Sequence, residues 1–221
     1  GLARASLASY RSDLTQFAAW LAEHRLGGLA AVDQATLLRF VATLSHSLRA
    51  SSQARYLSTL RRFYRQLLAR GRRSDDPTLQ IAMPVKPSRL PKVLSELQVD
   101  RLLEAPPSAT TLGQRDRAML ETLYATGLRV SELVGLKVFE VNLDMGVLRV
   151  VGKGSKERIV PLGEVARDCL RDYLADGRRV LLAGRQSDDL FPTARGSAMS
   201  RQAFWQLIKR YALLAGMDPA R

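Results

Sequence analysis

The chain has 221 residues, of which 46% are hydrophobic and 25% are charged. These proportions are typical of a globular protein and leave room for one large domain or two ordinary ones. No apolar run approaches the length that spans a bilayer, and the first residues lack the layout of a signal peptide. The single cysteine, Cys169, excludes an internal disulfide framework and a cysteine-only metal site, and its surroundings place it on the apolar face of a helix. We therefore expect a cytoplasmic protein that does not span a membrane.

The net charge of +13 comes mostly from the first 89 residues, which carry 14 basic and 5 acidic side chains. Between Gln34 and Ser74 there is no aspartate or glutamate. The nine arginines of this stretch are Arg39, Arg49, Arg55, Arg61, Arg62, Arg65, Arg70, Arg72 and Arg73. Because like charges repel, such a segment predicts a polyanionic partner, and nucleic acid is the leading choice. An anionic membrane surface and a plainly solvated basic face are the alternatives.

The first part of the chain, up to about Leu79, has the apolar spacing of amphipathic helices. The third helix is predicted within "SSQARYLSTLRRFYRQLLAR", with Ser51 or Ser52 as its cap and Gly71 as its stop. Its apolar stripe consists of Tyr56, Leu57, Leu60, Phe63, Tyr64 and Leu67. The arginines that fall largely on the other side are Arg55, Arg62 and Arg65. A helix divided in this way is suited to contact a DNA groove or backbone.

A basic, proline-rich segment then divides the chain. Three prolines and three basic residues in "MPVKPSRLPKVL" predict an extended linker over residues 83–94. The linker separates an N-terminal helical domain at residues 1–82 from a second domain at residues 95–221.

The second domain is predicted to be mostly helical. Ser95 and Gln98 have the spacing of a capping box, and a later helix ends at Gly127 with Tyr124 turned inward. Two strands with alternating apolar residues follow, before the chain returns to helix. The predicted fold class is mainly α, with one small β-hairpin or sheet.

The turn between the two strands, in "RVVGKGSKERIVPL", presents Lys153 between two glycines. A phosphate-binding P-loop requires a different spacing and a strand followed by a helix, so this route to nucleotide binding is excluded. Gly152 and Gly154 suit a tight hairpin turn. A lysine there either serves solubility or reaches into a groove and donates a proton.

Arg129 stands just after the helix stop at Gly127 and just before a short helix in "LYATGLRVSELVGL". An arginine held at such a junction presents a rigid fork to a phosphate. The alternative is an ordinary buried ion pair with Glu132.

The chain resembles the tyrosine recombinases of the phage-integrase type, and among them the bacterial Xer recombinases, above all the XerD branch. The resemblance covers essentially the whole chain. Its strongest motifs are "LSELQVDRLLEAP", "RDRAMLETLYATGLRVSELVGL", "GVLRVVGKGSKERIVPLG" and "LFPTARGSAMSRQAFWQLIKRYALLAG". It implies an N-terminal helical SAM-like DNA-clamp domain and a mostly helical catalytic domain that is incomplete at its C-terminus.

The resemblance also implies a chemistry, in which DNA is cut and rejoined through a phosphotyrosyl link without metal or other cofactor. Arg129 matches the family's first catalytic arginine, which binds the scissile phosphate. Lys153 matches the lysine that donates a proton to the leaving 5′ oxygen. The residues that we nominate for DNA contacts are Arg55, Arg61, Arg62, Lys86 and Arg201.

The family's remaining catalytic residues, an H-x-x-R-H-type motif and a late tyrosine, have no counterpart in these 221 residues. The histidines are His24 and His46, both in the first domain, and Tyr211 fits the apolar face of a helix. We therefore expect this span to grip DNA without cutting it. The alternative to a recombinase is a non-catalytic DNA-binding protein or decoy.

The resemblance further implies partners. These are a double-stranded recombination site, a second Xer recombinase in a heterotetramer and a cell-division DNA translocase. The implied task is the resolution of chromosome dimers before division.

Overall fold

The structure, a computed structural model, describes residues 4–84, 93–152 and 156–218. The chain separates into two units, Gly1–Leu90 and Pro91–Arg221.

The described part of the first unit, residues 4–84, contains three helices and a short 3₁₀ turn, Leu29–Ala31. The helices are α1 (Arg4–Glu23), α2 (Gln34–Ser47) and α3 (Ala50–Ala69). Their apolar stripes meet in an aromatic core, in which the ring centroids of Phe17 and Phe40 lie 4.5 Å apart and those of Phe40 and Tyr56 5.6 Å apart. The helical reading of this part is confirmed, because the apolar stripe of α3 is buried in this core or, at Phe63 and Leu67, packed against it half-buried.

The start of α3 differs from the prediction. The residue before the helix is Arg49, whose side chain makes no capping bond, so the assignment of Ser51 or Ser52 as the cap was wrong. Only Leu48 and Arg49 separate α2 from α3, and both are extended, so the helix begins at Ala50. Gly71 has φ +63°, as the predicted stop requires.

The second unit is mostly helical, with one small sheet, as predicted. Its helices are α4 (Glu96–Glu104), α5 (Thr111–Thr126), α6 (Val130–Leu133), α7 (Glu164–Asp172), α8 (Arg178–Leu182) and α9 (Arg201–Leu214). Its strands are β1 (Val141–Asn142), β2 (Val147–Val151) and β3 (Glu157–Pro161), antiparallel in the order β1-β2-β3. A single π-helical turn, Tyr173–Gly177, joins α7 to α8.

Helix α5 lies against α4, α6, α7 and α8, and its middle is buried on several sides. Met119 is fully buried among apolar residues that include Leu133 of α6 and Leu148 of β2. Tyr124 is 64% exposed, so its predicted inward position was wrong. Only one side of the last turn of α5 packs against the core, and Leu123 lies on that side.

A buried carboxylate connects α5 to α9. Asp116 is fully buried, and its Oδ1 accepts hydrogen bonds from Nε and Nη2 of Arg115 at 2.8 and 2.6 Å. Its Oδ2 accepts from the Tyr211 hydroxyl at 2.7 Å and from Nη2 of Arg210 at 3.1 Å. Arg115 also donates to the carbonyl of Pro192 at 2.9 Å.

The capping box at the start of α4 is present as predicted, formed by Ser95 and Gln98.

Replacing Asp116 with alanine leaves buried cationic and hydroxyl donors without their acceptor. We expect Asp116→Ala to lower the free energy of unfolding by about 3–5 kcal/mol. The matched control is Asp168→Ala, which removes a carboxylate that is 58% exposed and paired with Arg171. That change should cost about 1 kcal/mol at most. Urea denaturation measures both, and similar losses in the two variants would contradict the structural role of Asp116.

Candidate functional site

The backbone around Arg129 fixes the position of its side chain. Gly127 adopts a left-handed conformation with φ +59°, and its N–H donates to the carbonyl of Leu123 at 2.9 Å, which ends α5. The next residue, Leu128, is 4% exposed and lies in the core. Arg129 then precedes α6 in an extended conformation, and its side chain is 73% exposed. The buried Leu128 therefore fixes the backbone just before Arg129, while the Arg129 side chain points to solvent.

Glu132, on α6, is shared by two arginines. Its side chain is 8% exposed, and its Oε1 and Oε2 accept from Nη1 and Nη2 of Arg158 at 3.0 and 2.8 Å. The backbone N–H of Arg129 donates to Oε2 at 2.9 Å, and Nη1 of Arg129 donates to Oε1 at 3.1 Å. The ion pair between Arg129 and Glu132 therefore exists, but the carboxylate is the buried partner and the Arg129 guanidinium is exposed.

These hydrogen bonds control the charge of the site. Hydrogen bonds from the Arg158 guanidinium, first of all, and from the backbone and side chain of Arg129 together lower the pKa of Glu132 to about 2, although burial opposes the shift. The same pairing raises the pKa of Arg158. At neutral pH two guanidinium groups thus face one carboxylate, which leaves one positive charge in excess.

Arg129 and Glu132 line an open pocket together with Gly135 of the following turn and with the end of β2. At that end, the Gly152 N–H donates to the carbonyl of Lys156 at 2.7 Å and closes the base of the predicted hairpin. A Cβ on Gly152 would lie 3.2 Å from Nη1 of Arg158, so glycine permits a close approach there. The hairpin itself is confirmed, whereas Lys153 lies outside the described residues.

Sequence reasoning missed Arg158. In the register of the sheet Arg158 pairs with Val150, which is 2% exposed, and it shares a strand face with the half-buried Val160. A charged residue opposite a buried position of an alternating strand indicates that a partner of opposite charge lies nearby, even where, as for Arg158, its side chain stays 41% exposed. That pattern was the available signal, although it does not identify Glu132 as the partner.

The nominated arginines of α3 have unequal surroundings. Arg55, half-exposed, forms an ion pair with the buried Asp13 and donates to Ser9 Oγ at 2.9 Å. Arg61 donates from Nη2 to the carbonyl of Ile81 at 2.6 Å, so part of its guanidinium holds the end of the first unit.

Arg62 is exposed on α3, with its guanidinium carbon 5.8 Å from the centre of the Tyr10 ring. Arg65 is exposed on the same stripe of the helix, three residues further on, and its guanidinium has no partner among the described residues. Both side chains are free to reach an anion.

Arg201 is exposed at the first position of α9, where Ser200 caps the helix by accepting from the Ala203 N–H at 3.1 Å. Lys86 lies outside the described residues.

In the described parts of the chain, no helix is long and apolar enough to cross a membrane. Within the same residues, no group of three or more histidine, cysteine, aspartate or glutamate side chains has a geometry that could hold a metal ion.

Comparison with known proteins gives two family matches. Residues 92–221 match the phage integrase family, and residues 1–71 match the N-terminal SAM-like domain of phage integrases. The tyrosine recombinase XerD of Proteus mirabilis is 50% identical over 219 residues, which cover 99% of this chain and 70% of that protein. XerD of Pseudomonas putida is 51% identical over 218 residues, which cover 99% of this chain and 73% of that protein.

Two solved structures show the fold. A XerH site-specific recombinase bound to a palindromic difH substrate, in a post-cleavage complex, matches with a TM-score of 0.73 at 20% identity, over 96% of this chain and 62% of that chain. A lambda integrase dimer bound to a COC′ core site matches with a TM-score of 0.71 at 17% identity, over 99% and 77%.

The low pKa of Glu132 predicts a specific pH dependence of stability. The folded-state pKa is about 2 and the ordinary value is 4.5. The stabilisation is therefore complete above the ordinary value and is lost as pH falls toward the folded-state value. We expect the difference in unfolding free energy between the native chain and Glu132→Gln to be large at neutral pH and to shrink over that range.

Urea unfolding at a series of pH values measures this difference. The control is Glu157→Gln on β3, whose exposed carboxylate lies 3.8 Å from Arg149 and whose removal should change stability by about 1 kcal/mol at most. A difference for Glu132→Gln that does not change with pH would contradict the assignment.

Two arginines of α3 are predicted to behave differently. Arg61→Ala leaves the Ile81 carbonyl without its donor and should lower the unfolding free energy by about 1–3 kcal/mol. Arg65→Ala should change stability by about 0.5 kcal/mol or less, yet weaken DNA binding and reduce the dependence of log affinity on log salt by about one. Denaturation and fluorescence anisotropy test the pair. A destabilised Arg65→Ala variant, or an Arg61→Ala variant of native stability, would refute this division.

Proposed function

Because the chain belongs to the phage integrase family of tyrosine recombinases, we propose that it is a site-specific recombinase of the XerD type that cuts and rejoins double-stranded DNA. The observation that carries the proposal is the exposed Arg129 guanidinium at the rim of an open pocket. The backbone of Arg129 is held by the buried Leu128 and by its N–H bond to Glu132. A preorganised cation of this kind suits the charge that develops on a phosphate during phosphoryl transfer.

In the proposed reaction a tyrosine oxygen attacks the scissile phosphorus and the bond from phosphorus to the 5′ oxygen breaks. Arg129 holds the non-bridging oxygens, on which negative charge is spread. Lys153 gives its proton to the leaving 5′ oxygen, which departs as a hydroxyl. A 5′ hydroxyl then displaces the tyrosine in the rejoining step, so the bond energy is conserved and neither metal nor nucleotide is required.

The position of Lys153 is inferred from the sequence between described residues. Gly152 and Lys156 bracket the turn at its base, and the antiparallel pairing of β2 with β3 holds that base beside the pocket of Arg129. A lysine at this turn has a long, flexible side chain with which to reach a phosphodiester bound by Arg129.

We further propose that the 221-residue chain alone does not cleave DNA. Four of its tyrosines are buried and donate their hydroxyls to internal acceptors: Tyr56, Tyr64, Tyr173 and Tyr211. Burial, as the largest cause, raises the pKa of Tyr211 to about 12 and raises that of Tyr173 too, which disfavours the phenolate. We place the nucleophile, with the family's histidine–arginine motif, in sequence that these residues do not include.

The DNA substrate would be gripped by residues of both proposed domains. These occupy residues 1–82 and 95–221, and most of the proposed linker, residues 83–94, lies outside the described residues. The contacts proposed from the sequence are Arg55, Arg61, Arg62, Lys86 and Arg201, and the structure adds the exposed Arg65 of α3 to this proposal. In the cytoplasm the protein would act with a second Xer recombinase, as a heterotetramer, and with a cell-division DNA translocase, to resolve chromosome dimers. The buried tyrosines favour, as a second candidate, a non-catalytic DNA-binding protein.

Covalent attachment to nicked suicide DNA tests the enzyme proposal. The product of the complete open reading frame should form a covalent adduct, and the 221-residue chain should form none. Arg129→Ala should slow attachment by about a hundred- to a thousand-fold, because it removes a donor to the transition-state phosphate. Lys153→Ala should slow it as well. The matched control is Arg179→Ala, which removes a 76% exposed arginine of α8 and should leave the rate unchanged.

Attachment at the native rate by a variant that carries both alanines would overturn the enzyme proposal. If no form attaches, yet affinity falls about a thousandfold between about 50 and 200 mM salt, as it does when about six phosphates are bound, the non-catalytic candidate is favoured.

A further inference from the structure

The contacts of Arg129 are fewer than its neighbourhood offers. Glu132 lies three residues away on the same turn, a spacing at which arginine and carboxylate ordinarily pair. A guanidinium and a carboxylate that are free to do so form two parallel hydrogen bonds. Arg129 instead makes one side-chain contact, from Nη1 at 3.1 Å, and its Nε and Nη2 have no partner among the described residues.

Arg158 makes the bidentate contact in its place. Its Nη1 and Nη2 lie 3.0 and 2.8 Å from the two oxygens of Glu132. The backbone N–H of Arg129 takes a further position on Oε2 at 2.9 Å. Since each carboxylate oxygen has about two acceptor positions, three of the four are filled before the Arg129 side chain is counted.

We propose that Arg158 is a positioning residue that occupies the Glu132 carboxylate and thereby keeps the Arg129 guanidinium available for a DNA phosphate. The inference rests on the proposed function, because the anion is the DNA backbone. It adds a role for a residue of β3 that does not itself line the pocket.

Charge supports the same conclusion. With both arginines present, the three side chains carry a net charge of +1. Without Arg158 the net charge is zero, and the Glu132 side chain, 8% exposed, loses its two strongest hydrogen bonds. A buried carboxylate with unfilled acceptor positions attracts the nearest donors, which are the free N–H groups of Arg129. The Arg129 guanidinium would then be hydrogen-bonded to Glu132, and the two opposite charges would cancel.

A second substitution separates this role from the alternatives. Glutamine at position 132 removes the carboxylate charge, so Arg129 has no strong acceptor to close onto, whether Arg158 is present or not. The loss caused by removing Arg158 should therefore be largely reversed by Glu132→Gln. If Arg158 contacted the phosphate itself, or only stabilised the fold, the second substitution would restore nothing.

The experiment measures DNA affinity of the 221-residue chain by fluorescence anisotropy, over a series of salt concentrations, on a duplex recovered by selection from random sequence. The chains compared are the native one, Arg129→Ala, Arg158→Gln, Glu132→Gln and the Glu132→Gln/Arg158→Gln double variant. We expect Arg158→Gln to weaken binding as much as Arg129→Ala does and to reduce the salt slope by about one. The double variant should return to within about threefold of Glu132→Gln, since the coupled residues are not additive.

Arg158→Lys is a second variant that keeps the inference testable if Arg158→Gln fails to fold. A lysine supplies a point charge in place of the planar fork, so it should give an intermediate loss of affinity, again reversed by Glu132→Gln. Equal losses for Arg158→Gln with and without Glu132→Gln would overturn the inference and leave the recombinase proposal intact. Native DNA affinity in Arg129→Ala would overturn the inference together with the proposed phosphate-binding role of Arg129.

Discussion

A single buried carboxylate organises the functional end of the second unit. Glu132 accepts hydrogen bonds from the backbone and side chain of Arg129 and from the fork of Arg158, and so joins the start of α6 to β3 across 26 residues of sequence. Because its pKa is low, the Glu132 carboxylate is charged at neutral pH. The excess positive charge of this cluster lies at the rim of an open pocket, an arrangement that favours the binding of an anion.

The rest of the unit makes that arrangement rigid. The fully buried Asp116 joins α5 to α9 through Tyr211, so α5 is fixed in the core. At the far end of α5, the left-handed Gly127 and the buried Leu128 turn the chain so that Arg129 leaves the core at a fixed place. Because the backbone of Arg129 is placed before any ligand arrives, only its exposed side chain is left to be ordered on binding.

Local patterns in the sequence predicted most of the fold and half of the site. Several features could be recognised because each depends on a few neighbouring residues. They are the spaced apolar residues, the capping box at Ser95, the stop at Gly127 and the alternating strands. The partnership of Arg158 with Glu132 and that of Arg61 with the Ile81 carbonyl depend on tertiary contacts between distant positions, which no local pattern encodes. The start of α3 was misplaced because the tight connection to α2, rather than a serine cap, sets it.

The most direct test is a scan of the selected duplex with single neutral methylphosphonates, with affinity measured for the native chain and for Arg129→Ala. If Arg129 holds one DNA phosphate, neutralising that phosphate should weaken binding of the native chain by the same factor as Arg129→Ala, and should not weaken binding of the variant further. A scan in which every position weakens the native chain and the variant equally would show that Arg129 holds no phosphate.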